Sequence, residues 1–442
     1  MSFKETKLGD IPSEWDIVDV QTLVDNNILA KPKDGNHGGQ HPKSSDYVDD
    51  GIPFIMANDI KDGIIDLDKC KFITKKRADD LRKGFAKEGD VLITHKGTIG
   101  RTTIINNIDK EYIMLTPQVT YYRVLDDKEL DNRFLKYLFD YNKFQKLLQN
   151  WSGSGSTRAY LGITAQRKLP LIKPPLKEQK KIAKTLFNLD KKIENNNKMN
   201  KTLEEMAQAI YKSWFVDFEP FQEEEFVESE LGMIPEGWEV RKLKDVFTIQ
   251  NGYAFKSKDY QKEGIKVTRT LNINDNHFIN NNKVVYLPKN FWTEKYSKYR
   301  LNKFDVVMVM VGASVGKYGI VMEHNIPSLQ NQNMWRFRSK NEIINQPFVF
   351  STIKNLYDIA LKWATGSARN YLRKGDFGKL KVLIPSEEIL EKYSAVTEPL
   401  FEKINNNLKE NQSLKELRDS LLPKLMSGEI RVPIDEDVKE VN

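Results

Sequence analysis

LGDIPSEW, at residues 8–15, returns as LGMIPEGW at residues 231–238, 223 positions further on. Two more pairs follow in the same order. GDVLITHKGTIGR (89–101) matches FDVVMVMVGASVGK (304–317) at an offset of about 215, and GSTRAYL (155–161) matches GSARNYL (366–372) at 211. The offset shrinks steadily, as insertions and deletions between two copies would make it do, and chance similarity would not stay collinear. The chain is thus two copies of one unit of roughly 210–220 residues.

Through the last part of each unit the offset holds at 211 and the pattern is helical. Ile182, Leu186, Leu189, Ile193, Asn196, Asn200, Leu203, Ala207, Ile210 and Trp214 follow a 4-3 spacing, the seam of a coiled coil. Leu400, Ile404, Asn407, Asn411, Leu414, Leu421 and Leu425 hold matching places in the second copy. Pro174 and Pro175, and later Pro385, mark the helix starts. The 33 residues from Ile182 to Trp214 would span about 50 Å at ~1.5 Å per residue. Asn196 and Asn200, then Asn407 and Asn411, put two polar layers in each seam, which costs stability and specifies register. A narrow stripe suits a helix partner better than a broad core, so an antiparallel pair within the chain is expected. Two amphipathic helices on separate cores are the alternative.

Ahead of each helix lie short apolar runs that read as strands. They are GIPFIMAND (51–59), GDVLITHKG (89–97), TPQVTYYRV (116–124), GIKVTRTLN (264–272) and FDVVMVMVG (304–312). Helical patterns follow at 132–151 and 347–363, so each domain is expected to be α+β. This divides the chain into a first domain (1–175), a helix (176–217), an acidic linker with a second domain (218–386), a second helix (387–427) and a tail (428–442).

The 442 residues exceed one ordinary core. A hydrophobic content of 39% and a mean hydropathy of −0.57 describe a soluble globular protein. No run of 18 apolar residues predicts a membrane span, and MSFKETKLGDIP lacks the apolar stretch of a secretory signal. Cys70 is the only cysteine, which excludes an internal disulfide and a cysteine-based zinc site. A cytoplasmic protein is the simplest expectation. The net charge of +7 is modest, but six acidic residues crowd Glu219–Glu230, so the rest is more basic than the total suggests. A polyanionic partner or a merely solvated basic surface would both fit.

Catalytic patterns are missing. The five histidines are scattered, and only His37 and His41 are close. GASVGK (312–317) has three residues between its glycines, and Tyr318 follows its lysine, so it is not a nucleotide-binding Walker loop. There is no Gly-x-Gly-x-x-Gly loop and no Asn-Pro-Pro-aromatic segment of an adenine methyltransferase. Glu178-Gln179-Lys180 has the look of the end of a nuclease motif, but it opens a helix. Neither metal nor cofactor is expected in this chain.

The paired IP-x-x-W boxes, KSWFVDFEP (212–220) closing the first helix and LLPKLMSGEIRV (421–432) closing the second resemble the specificity subunits of type I restriction–modification systems. The resemblance spans essentially the whole chain. It implies two tandem target recognition domains, each reading half of a bipartite, asymmetric double-stranded DNA target in the major groove. It implies long antiparallel coiled-coil helices in a pseudo-two-fold repeat, acting as a ruler and as a dock for two methyltransferase subunits. With restriction/translocase subunits added, the complex would also cleave DNA. S-adenosylmethionine, ATP and Mg belong to those partners, and the methylated base is usually adenine, at N6. Helices of about 50 Å exceed one DNA turn of about 34 Å. The acidic segment 218–231 should face away from DNA or contact a partner. An assembly scaffold whose domains bind protein is the competing reading.

Phosphate contacts need Lys, Arg or backbone amides, and base contacts need polar side chains on loops. Matched loops offer Ser156, Arg158 and Tyr160 against Ser367, Arg369 and Tyr371, and Lys96, Thr98 and Arg101 against Ser314 and Lys317. Strand-connecting turns and caps explain these loops equally well. The wholly non-apolar stretch 31–44 offers Lys33, Asn36, His37, Gln40 and Lys43, as a mobile loop ordering on DNA or a plain surface loop. Its approximate counterpart, 251–260, offers Lys256 and Lys258, with Arg269 nearby. Gln118 and Gln332, and Asp59 and Asn272, recur at matched places and could be internal hydrogen-bonding groups.

Overall fold

The computed structural model describes residues 2–67, 69–153, 159–357 and 372–433. The chain forms two compact units. The first joins Met1–Lys191 to Leu414–Asn442, and the second is Lys192–Ser413. These units cut across the linear segments, for a reason visible at the helix ends.

In the first unit, Thr98–Ile104, Val91–Lys96, Val119–Tyr122 and Lys33–Asp34 form a four-stranded sheet in that order. A five-stranded sheet runs Phe85–Ala86, Ile113–Leu115, Ile52–Ile55, Lys71–Ile73 and Tyr47–Val48, with Ile113–Leu115 parallel to Ile52–Ile55. The second unit repeats both. Tyr318–Ile320, Val306–Val309, Met334–Ser339 and Phe247–Asn251 make one sheet. Arg300–Leu301, Ser328–Gln330, Ile265–Thr268 and Val285–Leu287 make the other, with the same parallel pair. Val306–Val309 is buried at every position, which is why its sequence is a continuous apolar run instead of an alternation.

The helical stretch read at 132–151 is two helices, Asn132–Asp140 and Asn142–Trp151, broken at Tyr141. Tyr141 is extended and buried, and Gln145 Nε2 donates to the Phe139 carbonyl at 2.6 Å close to the break. Asp131 caps the first of these helices by accepting from Phe134 N at 2.8 Å. Asn345 does the same for Gln346–Asn355, accepting from Phe348 N at 2.9 Å.

Both long helices, Leu176–Phe215 and Glu387–Met426, have 40 residues. They run antiparallel: Asn196 faces Asn411 while Asn200 faces Asn407 within the second unit. Asn196 Nδ2 donates to Asn411 Oδ1 at 2.9 Å, Asn411 Nδ2 to Asn197 Oδ1 at 2.9 Å, and Asn407 Nδ2 to Asn200 Oδ1 at 2.8 Å. In the first unit, Arg418 reaches Asp190 at 2.8 Å. Asp190 also takes the Tyr137 hydroxyl at 2.7 Å and Lys136 at 3.3 Å. Burial pushes the Asp190 carboxyl up, but Lys136 and Arg418 outweigh it and hold it below the usual range.

The helix ends explain the unit boundaries. Past the first helix, Phe215, Phe218 and Phe221 ring Trp238 of the second IP-x-x-W box at 5.8, 5.7 and 5.0 Å. Past the second helix, Arg431 lies over Trp15 of the first box at 5.4 Å, and it pairs with Glu14 and Glu178. Leu425 and Met426 join Leu8, Ile11 and Trp15 in one core. Each helix thus closes onto a box, and the second closes onto the box at the other end of the sequence. The acidic stretch is no open linker throughout, because Phe226–Ser229 pairs with Gly232–Pro235 as a hairpin.

Candidate nucleic-acid interface

In the first unit the fold gathers three of the candidate segments at one place. Lys96 and Thr98 are exposed on the hairpin joining Val91–Lys96 to Thr98–Ile104, where Gly97 has a φ of 76°. Tyr160 is exposed, bridges to Lys96, and sets its ring 5.7 Å from His95. Beneath it, His95 faces the carbonyls of Leu161 at 2.9 Å and Pro117 at 3.1 Å. Burial holds its imidazole below the ordinary histidine range.

The stretch 31–44 completes the cluster, and it is tied down along its length. Lys33 sits on the edge strand, exposed. Asp34 is buried against Lys83 and against His37 Nε2 at 2.7 Å. Burial raises its carboxyl, and Lys83 and His37 more than offset this. Asn36 is buried, donating to Lys83 O at 2.5 Å and accepting from Arg82 N at 3.1 Å, so its side chain is spent. Gln40 is exposed, and its carbonyl accepts from Arg77 at 3.1 Å. Lys43 is exposed, its backbone N–H bonded to Asp46 at 2.8 Å. Asp34 and Asn36 thus anchor the stretch, while Lys33, His37, Gln40 and Lys43 stay exposed on it. A composition without apolar residues hides how many side chains bond to neighbouring backbone.

A glycine makes the close approach possible. A Cβ on Gly35 would lie 1.8 Å from Leu115 O, and one on Gly252 would lie 1.8 Å from Asn331 O. Both loops pass against the same turn of their own unit, at 116–118 and 331–333, where only glycine fits.

Arg101 is half-buried, and its Nη1 donates to Ala57 O at 2.9 Å and Ile60 O at 3.2 Å. In the second unit Lys256, Lys258 and Ser314 are exposed. Lys317 pairs with Asp275 at 2.9 Å, and Arg269 donates to Lys283 O at 2.5 Å. Ser156, Arg158, Ser367, Arg369 and Tyr371 lie outside the described residues. Asp59 and Asn272 are matched caps, accepting from Met56 N at 2.7 Å and Arg269 N at 3.0 Å. Gln118 and Gln332 are not a matched pair. His95 N donates to Gln118 O and Met310 N to Asn333 O, each at 2.9 Å, so the partner of Gln118 is Asn333.

Sequence reading passed over one more element. Between Lys71–Ile73 and Phe85–Ala86 runs KKRADDLRK (75–83), with five basic residues. At the matched place in the second unit runs KNFWTEKYSKYR (289–300), with four basic residues and four aromatics. The first braces the 31–44 stretch through Arg77 and the backbone at Arg82 and Lys83. The second packs Tyr296 and Tyr299 on Tyr253, each at 5.2 Å, beside exposed Lys256 and Lys258. Trp292 is exposed with Arg300 over its ring at 4.5 Å. Basic charge interleaved with aromatics was the available signal. Among the described residues no His, Cys, Asp and Glu cluster could hold a metal ion, and no helix is long and apolar enough to cross a membrane.

A duplicated α+β unit, a polar-layered helix pair and matched basic loops define a two-domain recognition protein. The chain matches the family described as "Type I restriction modification DNA specificity domain" over residues 33–205 and again over 235–416, and it belongs to the type I specificity subunits. It is 29% identical to the type I restriction enzyme MjaIX specificity subunit of Methanocaldococcus jannaschii, over 97% of this chain and 96% of that one. It is 24% identical to the HindI specificity subunit of Haemophilus influenzae, over 82% and 91%. Its fold is that of a type I S subunit from M. genitalium, with a TM-score of 0.54 at 17% identity over 93% and 96% of the two chains.

Proposed function

We propose that each unit reads one half of a bipartite, asymmetric DNA target, and that the chain directs partner subunits to methylate or cleave that target. The observation that carries this is the matched construction of the two units. In each, a glycine-pinned loop, a strand-end turn and a basic segment meet at the same place on the same pair of sheets. Exposed Lys76 and Arg82 in one unit, and Lys289, Lys295 and Lys298 in the other, suit phosphate contacts, while the turns between them suit base edges. Because the turns carry different side chains, the two half-sites are different sequences. On this reading the chain has no chemistry of its own. Two methyltransferase subunits carry S-adenosylmethionine and modify adenine at N6, restriction subunits use ATP and Mg, and the complex works in the cytoplasm.

The test is base-resolution detection of modified adenines in host DNA, with and without this gene. A two-part motif that loses methylation on deletion is the expected result. An unchanged pattern with expressed partner subunits would remove the reading and leave a protein-binding scaffold.

A further inference from the structure

The two units share a backbone frame residue for residue around one turn. Thr116 N donates to Ile55 O and Asn331 N to Thr268 O, each at 3.0 Å. His95 N reaches Gln118 O, and Met310 N reaches Asn333 O. Leu161 N returns to His95 O at 2.9 Å, and Leu372 N to Met310 O at 2.8 Å. The chain also turns alike after the inner strand, where the Asp59 and Asn272 caps hold Met56 and Arg269.

On that common frame the side chains are exchanged. The first unit presents Met56, Lys96, Thr116, Pro117 and Gln118. The second presents Arg269, Val311, Asn331, Gln332 and Asn333. With His41, the first set lines a cavity of about 250 Å³. Thr116 Oγ1 and His41 Nδ1 are buried there without a hydrogen-bond partner, and in the second unit Arg269 Nε is left the same way. Such atoms occur elsewhere too, Trp15 Nε1 and Asn200 Nδ2 among them, but Thr116 Oγ1 and His41 Nδ1 belong to residues that line a cavity. Gln118, Gln332 and Asn333 are exposed at the rim.

We infer that these five matched positions are the specificity-determining positions of the chain, each set contacting base edges of its own half-site. The inference rests on the DNA-reading function proposed above. The chemistry differs as two half-sites require. Gln118 offers the amide that pairs with adenine N6 and N7, beside Met56 and Pro117, which suit a thymine methyl. In the second unit Gln332 and Asn333 offer amides suited to adenine, and Arg269, whose Nη2 already donates to Lys283 O, keeps Nε as an unpartnered donor for a guanine acceptor. Strands hold the frame, so the bases read are changed by exchanging side chains and not by refolding.

The experiment expresses the full chain with its methyltransferase subunits in a host lacking the gene, and reads modified adenines at base resolution. Gln118→Ala, a surface change, should relax one adenine position in one half-site by roughly 5- to 160-fold in discrimination, the worth of a bidentate base contact. Gln332→Ala with Asn333→Ala should alter the other half-site and leave the first intact. Transferring the second unit's set onto the first (M56R, K96V, T116N, P117Q, Q118N) should shift the first half-site again. Variants that methylate the wild-type motif at wild-type selectivity overturn the assignment of these positions. Wild-type chain giving no two-part motif at all overturns the underlying function, a result that the variants alone cannot produce.

Discussion

Asn407→Leu, Asn200→Leu and the double replacement separate the cost of a buried polar layer from its purpose. Asn407 Nδ2 donates to Asn200 Oδ1 at 2.8 Å between two buried side chains, and Asn200 Nδ2 has no partner at all. Asn407→Leu leaves the whole Asn200 amide buried and unbonded, which should cost about 2 kcal/mol, the middle of the range for a stranded buried group. Asn200→Leu strands Asn407 Nδ2 but also removes a nitrogen already without a partner, so its cost should be nearer ~1 kcal/mol. The double variant removes both amides and places apolar groups in the seam, and should be about as stable as the wild type. The coupling between the two sites is then about 3 kcal/mol in favour of the double variant. Urea-dependent hydrogen exchange on helix amides of the full chain reads this locally, with no need for a single global transition. A double variant destabilised by the sum of the two singles would refute the argument. With the pair confirmed, the layer is a register device, retained at some expense to stability.

Three further outcomes follow from other contacts. Asp190→Ala removes the acceptor shared by Arg418, Tyr137 and Lys136, but Lys136 keeps Asp140 and Arg418 keeps Asp419. The loss should be about 3 kcal/mol, the low end for a broken buried pair, and calorimetry of the first unit should show its transition lowered by roughly 6–12 °C; an unmoved scan refutes this. His95 is held below its ordinary range by burial, so the unfolded chain takes up that proton first. Its contribution is full above about pH 6.5 and is lost as pH falls through the folded value, so His95→Met, copying Met310, should flatten that part of the acid-side decline in urea midpoints. Parallel curves for the two proteins would count against it. Lys295→Ala with Lys298→Ala should lower the slope of log affinity against log salt for mixed-sequence duplex DNA by about 2, roughly one per phosphate contact, and an unchanged slope removes the basic segment from the interface.

The parts of the fold legible in the sequence are those built from local periodicity or from duplication. The 4-3 seam located both long helices because a stripe of Ile, Leu and Ala repeats wherever a helix lies on one partner, and the Asn layers stood out as exceptions to it. Val306–Val309 was legible because a strand buried on both faces has no polar residue to interrupt it. What escaped was non-local. Nothing near Met426 indicates that it packs with Leu8 and Trp15, since that contact joins opposite ends of the chain. The break at Tyr141 escaped because Gln145 supplies a side-chain bond to Phe139 O near the break, and an amide four residues further on does not announce that role.

The candidate site was only partly legible for a related reason: a residue's type does not say what its side chain already bonds to. Asn36 and Arg101 have the right chemistry for DNA, yet Asn36 spends its amide, and Arg101 its Nη1, on backbone of their own unit, which composition cannot reveal. Gln118 was set beside Gln332 because the letters agree, whereas the backbone pairs it with Asn333. Searching two copies for like residues selects what the scaffold needs, such as the glycines at 35 and 252 and the Asp and Asn caps at 59 and 272. Two half-sites of different sequence require the opposite, unlike side chains on a like frame. The positions that meet that requirement are the turn at 116–118 and 331–333, and they become visible only once hydrogen bonds, rather than letters, align the copies.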